Sequence, residues 1–544
     1  MPVDAQEKQP EALEKNTEVL AAQKKPFEKT FAVKIYTAGK EYNYAEPWKG
    51  PGIKKWTGSG FVINENQIVT NAHVAGGAAF IEVQLANDTV KYQAAVKAIG
   101  HDCDLSILEV DDPEFWAKTK PAKIGENPDR KQKVEVHGFP TGGKEYCITG
   151  GIVSRSENDY YAHSGEKLLS TQTDAPINPG NSGGPVIDKK TGEVVGVAFQ
   201  GLRGGQNIGY MIPASVLKHF IHQVEIQKIG FPGLAITTQA LENKIFRKKL
   251  KLPGDQSGIY VTDVAPLSSA FGQLKEGDVI LEINGKKIHN DGSIEVSSMR
   301  KVDWKYEINQ SKLGDEVRFK VWREGKKQTI RFQLNESLHD TSMIGPMEYD
   351  EPPTYLLVGG VVVVQPVNMN YMIDTKTLFS VRDKTEPEEQ LLTVNRVLES
   401  SYSQGYGSFK SDVIVKVNHK KVKNMRELAD AVDLHTGKTH CIELATGRKI
   451  YVPNLKSAEI QNVLDMYGIT KDRSKDLAPR EAEEDLFDML LAPDKKQPVL
   501  FSAGAKLERE APDAVHDNNM KNENNPPKVN ESNHSVRPRS ATVH

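Results

Sequence analysis

The sequence predicts a mainly β chain of several domains, with a barrel or sandwich in front and two related smaller modules behind it. Three observations carry this. From about residue 27 to residue 213 the chain runs through short alternating segments rich in β-branched residues, among them FAVKIYT, QIVTNAHV, DLSILEV, QKVEVHGF and GEVVGVAF. Many short strands separated by turns indicate an all-β domain rather than alternating β and α. GDVILEINGKKIHN (277–290) and SDVIVKVNHKKVKN (411–424) align without gaps and share seven of fourteen residues, an internal repeat. Finally, 544 residues exceed what one hydrophobic core usually serves.

Taken in order, residues 1–26 are rich in Glu, Lys and Gln and read as a polar arm. Residues 27–228 form the β domain, closed by SVLKHFIHQVEIQK (215–228), whose apolar residues have helical spacing. The repeat defines two further modules, 229–340 and 341–455. Each copy fits a strand, a two-residue turn and a second strand, because Asn-Gly and Asn-His can both supply the positive φ of a tight hairpin. Two unrelated hairpins are the plainer alternative. Residues 456–544 are a tail that begins with two short amphipathic stretches, SAEIQNVLDMYGI and REAEEDLFDMLLA, and ends in a polar segment too poor in apolar residues to offset its ordering entropy.

Composition narrows the function classes. Hydrophobic content of 38% and charged content of 26% describe a soluble globular chain, and a net charge of −3 from 70 basic and 73 acidic residues gives no footprint for nucleic acid. Cys103, Cys147 and Cys441 are too few and too scattered for a disulfide framework or a CxxC metal knuckle. No GxxxxGK[ST] loop for a nucleotide phosphate is present, so neither cofactor nor metal is expected. The longest apolar run, YLLVGGVVVVQPV (355–367), is glycine-interrupted and falls short of the roughly 20 residues that span a bilayer. The N-terminal stretch has no signal-peptide core. The expected compartment is cytoplasmic as the sequence stands, and periplasmic, secreted or organellar if a leader was removed.

The chemistry is carried by three segments of the β domain. TNAHV (70–74) places His73 just past a strand, DCDLSILEV (102–110) places Asp104 at the start of another, and DAPINPGNSGGPV (174–186) places Ser182 in a glycine-rich loop. A lone histidine among fourteen means little; the order His, Asp, Ser on separate loops of a β-rich domain is that of the chymotrypsin-type triad. Ser182 would attack a carbonyl, His73 would take its proton, and Asp104 would fix the imidazole tautomer. The N–H groups of Gly180 and Ser182, with Asn181 carrying the peptide between them, would form the oxyanion hole. Gly183 and Gly184 would leave room for substrate backbone. Asp102 competes with Asp104 as the acid, and Cys103 between them reads as a buried small residue.

These segments, with GIVSR (151–155), NIGYMIP (207–213) and GVAFQGL (196–202), resemble the HtrA/Deg (Do-like) serine proteases in order and spacing over residues 27–455. IGHDCDLSILEVDDPEFW (99–116) and PPTYLLVGGVVVV (352–364) resemble the plant-type branch, with its divergent second PDZ domain. The resemblance implies a chymotrypsin-like double β-barrel followed by two PDZ-like α+β domains, and it favours Asp104 over Asp102. It implies an ATP-independent serine endopeptidase acting on unfolded or damaged proteins. It also implies a homo-oligomer of trimers or a multiple such as a hexamer, with Phe27, Phe31 and Tyr36 as candidate contacts unless they serve the core. By analogy Val197, Ala198, Phe199, Gln200 and Gly201 line the first specificity pocket, which holds no acidic residue and so favours an apolar side chain before the cut. NDYYAHSGEK (158–167) aligns with the activation loop, and its two tyrosines hint at docking. Gly233, Leu234, Ala235 and Ile236, in GFPGLAITTQ, are the peptide-binding candidates of the first PDZ-like module, or simply its first core strand. The second module's apolar run reads as a packed interface. Pro176 departs from the family's usual alanine. A chaperone or scaffold with a latent protease is the alternative function.

Overall fold

The computed structural model describes residues 29–479, apart from 144, 202–207, 298–299, 338, 371–382 and 456. The polar arm, Phe27, the stretch REAEEDLFDMLLA and the terminal tail lie outside the described residues.

The front of the chain forms two closed six-stranded barrels. The first contains β1 (Ala32–Glu41), β2 (Gly52–Asn64), β3 (Gln67–Thr70), β4 (Ala78–Leu85), β5 (Lys91–Gly100) and β6 (Leu105–Glu109), in the order β1-β2-β3-β6-β5-β4. The second contains β7 (Lys133–Gly138), β8 (Cys147–Tyr160), β9 (Lys167–Thr173), β10 (Pro185–Asp188), β11 (Val194–Gly201) and β12 (Gly209–Pro213), in the order β10-β11-β12-β9-β8-β7. Barrel rather than sandwich follows from the closing pairs. β4 returns to β1, with Val33 opposite Leu85, and β10 returns to β7, with Val186 opposite Val136. Closure leaves neither set of strands an open edge.

The helix Ala214–Glu225 ends this region and buries Val216, Leu217 and Phe220. The Phe220 ring fills the space beside Gly100, where a Cβ would come within 2.8 Å of it. Burying such a ring stabilises by roughly 1.5 to 3 kcal/mol, and here it also clamps the end of β5 that leads into Asp104. Phe31 packs against the apolar group of Ala32, Ala86 and Phe139 within its own chain, and the Tyr36 hydroxyl donates to Gln84 Oε1 at 2.8 Å.

Behind the barrels lies a sheet in the order β13-β14-β15-β19-β20, from β13 (Ile236–Ala240), β14 (Ile259–Val264), β15 (Val279–Ile283), β19 (Glu316–Arg323) and β20 (Lys326–Gln333). Short β16 (Lys286–Lys287) pairs with β15, and β17 (Ser293–Ser297) with β18 (Arg300–Asp303) makes a separate hairpin. The last module has β21 (Leu356–Val358), β22 (Val362–Pro366) and β23 (Leu392–Val397) in one sheet. A second sheet holds β24 (Ile414–Val417), β25 (Lys420–Lys421), β26 (Thr439–Leu444) and β27 (Lys449–Pro453) in the order β25-β24-β26-β27. The apolar run 355–364 is buried within this module's own core rather than offered as an interface.

The repeat has the same local structure in both copies. β15 turns into β16 through Asn284 and Gly285 at φ 48° and 86°, and β24 turns into β25 through Asn418 and His419 at φ 49° and 67°. The asparagine common to both turns has a further task. Asn284 exchanges two hydrogen bonds with the Arg318 backbone, one through its side chain, and Asn418 does the same with Cys441. That tie of the turn to the neighbouring strand explains why Asn persists where its partner changes from Gly to His.

Candidate active site

Each barrel contributes part of one cleft. β3 ends at Thr70 and the chain enters a single helical turn, Ala72–Ala75, that carries His73. Asp104 sits at the mouth of β6 with φ 52°, its backbone turned so that both carboxylate oxygens meet the same residue. Oδ1 accepts the His73 backbone N–H at 2.8 Å, and Oδ2 lies 2.7 Å from His73 Nδ1. Asn71 fastens this turn by donating to the Asp104 carbonyl at 2.8 Å.

Burial works against the Asp104 charge, but the facing His73 and His163 and the hydrogen bonds from His73 outweigh it and hold the carboxyl below the usual range. For His73 burial disfavours the imidazolium, yet Asp104 outweighs it and the pKa ends above the ordinary histidine value. The neighbouring carboxylate, Asp102, turns the other way. It accepts from His339 Nε2 at 2.9 Å, tying the segment that follows the first rear module to the barrel. Cys103 is fully buried, and burial followed by the two flanking aspartates pushes its thiol far up, so it is inert.

Ser182 precedes β10 in the second barrel and reaches the first through its carbonyl, which accepts the Ser59 N–H at 2.8 Å. Its hydroxyl donates to the Phe199 carbonyl at 3.3 Å, so Oγ is not engaged with His73 in this state. The loop backbone is pinned at both peptides that flank Gly180. The Pro179 carbonyl accepts from Thr141 N–H at 2.7 Å, and the Gly180 carbonyl accepts from Ser59 Oγ at 2.7 Å. Because a trans peptide directs its C=O and N–H to opposite sides, the first bond aims the Gly180 N–H away from Thr141. Among the described residues neither the Gly180 nor the Ser182 N–H donates to a protein acceptor. Gly180 adopts φ 98°, and a Cβ there would meet the Phe139 carbonyl at 2.5 Å, so glycine is required twice over.

The peptide that orients the Gly180 donor is Pro179–Gly180. One expectation changes here. Gly183 and Gly184 do not leave room for substrate: a Cβ on Gly183 would come within 2.2 Å of the Ser59 carbonyl, and one on Gly184 within 2.1 Å of the His137 carbonyl. They admit the protein's own backbone, which lets the barrels close on the loop. Pro176 is exposed and lies outside the strands, so its missing N–H takes nothing from a ladder.

His73, Gly180 and Ser182 open into one cavity of about 1070 Å³. Val197, Ala198 and Phe199 are buried, with Phe199 set against Tyr161, and it is their backbone that faces the serine loop: the Ala198 carbonyl accepts from Gly183 N–H at 2.8 Å. Gln200 accepts from the Ala162 N–H at 3.0 Å, and Gly201 is exposed. In the segment 158–167 the tyrosines separate. Tyr160 is exposed and Tyr161 is fully buried, while the residue that docks is His163, stacked on Tyr349 with centroids 4.0 Å apart. Burial pushes His163 down to about 4, so its ring is neutral near pH 7. No local signal marks this contact, since Tyr349 is 186 residues away in sequence.

In the first rear module β13 pairs with β14, and among the described residues no strand pairs with its other edge. Leu234 and Ile236 are buried, Ala235 has φ 42°, and the Gly233 N–H is taken by the Glu336 carbonyl at 2.9 Å. Among the described residues Leu234 and Ala235 N–H have no protein acceptor, which suits capture of a chain-terminal carboxylate. Away from the cleft, His419, Cys441 and Glu443 bring their ligand atoms within 4.8 Å of one another. Glu443 already meets Lys449 at 3.5 Å and faces Lys416, which makes this a poor seat for a cation. Among the described residues no helix is long and apolar enough to cross a membrane.

Comparison with known proteins bears on most of the chain. The trypsin-like peptidase domain family matches residues 58–197, and PDZ domain families match residues 232–334 and 344–476. Protease Do-like 4, mitochondrial, from Arabidopsis thaliana is 37% identical over 78% of this chain and 80% of its own length. Protease Do-like 2, chloroplastic, from the same plant is 32% identical over 82% of this chain and 75% of its own length. A solved HtrA-type protease, AlgW with a decapeptide, is 23% identical, with a TM-score of 0.43 over 56% of this chain and 95% of that one.

Proposed function

The chain belongs to the HtrA/Deg (Do-like) family of serine proteases, in its plant-type branch, and from that premise we propose that it degrades unfolded or damaged proteins without ATP, with Ser182 as nucleophile. It is a serine endopeptidase. In our reading His73 is the general base, Asp104 orients and charges it, and the Gly180 and Ser182 N–H groups stabilise the oxyanion.

The observation that carries this assignment is the bidentate Asp104 hold on His73, at 2.8 and 2.7 Å, in the cavity that Ser182 and the unengaged Gly180 N–H share. Asp104 fixes the proton on Nδ1, leaving Nε2 as the acceptor for the serine hydroxyl. When Oγ leaves the Phe199 carbonyl for His73 it becomes the nucleophile, and the negative charge that forms on the substrate oxygen meets the two N–H groups. An open cleft with no nucleotide loop behind it suits segments of chain that are already unfolded, and the edge of β13 away from β14 offers a second grip on the same client.

The test is cleavage of reduced, unfolded casein or α-lactalbumin by the purified full chain in ATP-free buffer, beside native, disulfide-intact α-lactalbumin and the Ser182→Ala variant. Rapid loss of the unfolded substrates only, with no turnover by the variant, is the expected result. Equal cleavage of native protein, or a requirement for ATP, would contradict the proposal.

The Ser182 hydrogen bond to Phe199 favours a second reading of the resting state, a latent protease that holds clients before cutting them. Activation by added C-terminal peptides would distinguish it. We also propose a homo-oligomer built from trimers, on the strength of the family; sedimentation equilibrium of the full chain giving a monomer would contradict it.

A further inference from the structure

The cleft is not finished by the protease domain alone. Its cavity is lined by His73, Gly180 and Ser182, and also by Tyr349, which lies past the first PDZ domain, near the start of the stretch matched by the second. Tyr349 is held from several sides. Its ring is stacked on His163 at 4.0 Å and 19°, and the His163 ring is in turn 6.2 Å from the His73 ring. Its hydroxyl donates to the His163 carbonyl at 2.5 Å. The next residue, Asp350, accepts the Gly77 N–H at 2.5 Å and meets His101 Nε2 at 2.7 Å, while His101 Nδ1 lies 2.8 Å from His163 Nε2. Gly77, with φ 65°, is the seat of this strap: a Cβ there would meet the Tyr349 carbonyl at 3.0 Å.

Such fastening describes a fixed wall rather than a loose lid. A side chain locked by stacking and hydrogen bonds is pre-organised, so a substrate group that contacts it pays little for ordering it. Beside Tyr349 the wall has further aromatic surface, since Trp56 and Tyr44 line the same cavity; its charged lining is Lys54, paired with Glu41 at 3.0 Å, together with Lys40, Lys410 and Glu348.

We propose that Tyr349 is a specificity-determining wall of the substrate cleft, receiving the apolar or aromatic substrate side chain that lies against the His73 imidazole. The proposal rests on the assignment of Ser182 and His73 as nucleophile and base. It makes the leading segment of the second PDZ domain part of the cleft and gives the enzyme a second side-chain preference, separate from the pocket expected beside Val197 to Gly201. A hydrophobic subsite of this kind discriminates by roughly 10-fold to 200-fold for one methylene more or less.

The test is cleavage of a peptide library randomised on both sides of the cut, read by mass spectrometry, with the full-length wild type, Tyr349→Ala, Tyr349→Phe and Asp350→Asn. A fluorophosphonate probe is applied to every preparation. Tyr349→Ala is expected to reduce the apolar preference at one position about tenfold, through KM rather than kcat, while the preference at the residue before the cut is unchanged. Asp350→Asn, which loosens the strap from Gly77 and His101, should weaken the same position, and Tyr349→Phe, which keeps the ring, should retain it. An unchanged profile in a Tyr349→Ala enzyme that still labels overturns the proposal and leaves the protease assignment standing. So does a uniform fall in kcat at every position, or a Tyr349→Phe profile that matches Tyr349→Ala. Failure of wild type to label or cleave would instead remove the assignment on which the proposal rests.

Discussion

Ser182→Ala is expected to lower kcat to background, a loss on the order of 10⁶-fold, as removal of a triad nucleophile does elsewhere. The fold should survive it. The Ser182 side chain makes one hydrogen bond, to the Phe199 carbonyl at 3.3 Å, whereas the loop is held by backbone groups: the Ser182 carbonyl to Ser59 N–H, Gly183 N–H to Ala198, and Pro179 to Thr141 N–H. Loss of one such side-chain bond costs about 1 kcal/mol, so circular dichroism and thermal unfolding of the variant should follow the wild type closely while turnover of unfolded casein disappears. Retained cleavage by a pure Ser182→Ala preparation would mean that another group is the nucleophile.

Asp104→Asn should cost about 10⁴-fold in kcat with little change in structure. The asparagine keeps one acceptor oxygen, which can still take the His73 backbone N–H. Its amide must then present N–H to His73 Nδ1, forcing the proton onto Nε2, where the serine hydroxyl needs an acceptor. The same substitution should move the pH profile. In the wild type burial lowers the His73 pKa and Asp104 more than restores it, so the imidazole becomes neutral only above the ordinary histidine value. Activity that needs neutral His73 should therefore fall as pH drops through that raised pKa. Without the carboxylate charge burial acts alone, and the acid limb of the residual kcat/KM should shift to lower pH. An acid limb that stays in place would show that it reports some other group.

Much of this was legible in the sequence, and the part that was not has a physical reason. His73, Asp104 and Ser182 stand out because each follows or precedes a short strand with an apolar, buried centre, so the fold alone brings them to strand ends. The hairpins of the repeat were legible because a two-residue turn needs positive φ at both positions, and Asn418 and His419 adopt it without a glycine. The strand pattern alone did not tell barrel from sandwich, because closure depends on β4 finding β1 and β10 finding β7, which no single strand encodes; the double barrel came from the family resemblance.

The roles of Gly183 and Gly184 were misassigned for a similar reason: a glycine announces close approach but not of what, and here it is Ser59 and His137 rather than a substrate. The wall at Tyr349 was invisible altogether. It joins His101, His163 and Asp350 across separations of 62 to 249 residues, and polar side chains in contact at such range leave no pattern along the chain.

The most direct test of the central claim, that Ser182 is the activated nucleophile, is to treat the full chain with a fluorophosphonate, digest it and map the adduct by mass spectrometry. The account predicts one phosphonyl group per chain, on Ser182 in the peptide 168–189, abolished in Ser182→Ala and slowed in Asp104→Asn. An adduct on any other residue, or undiminished labelling of Ser182→Ala, would contradict it.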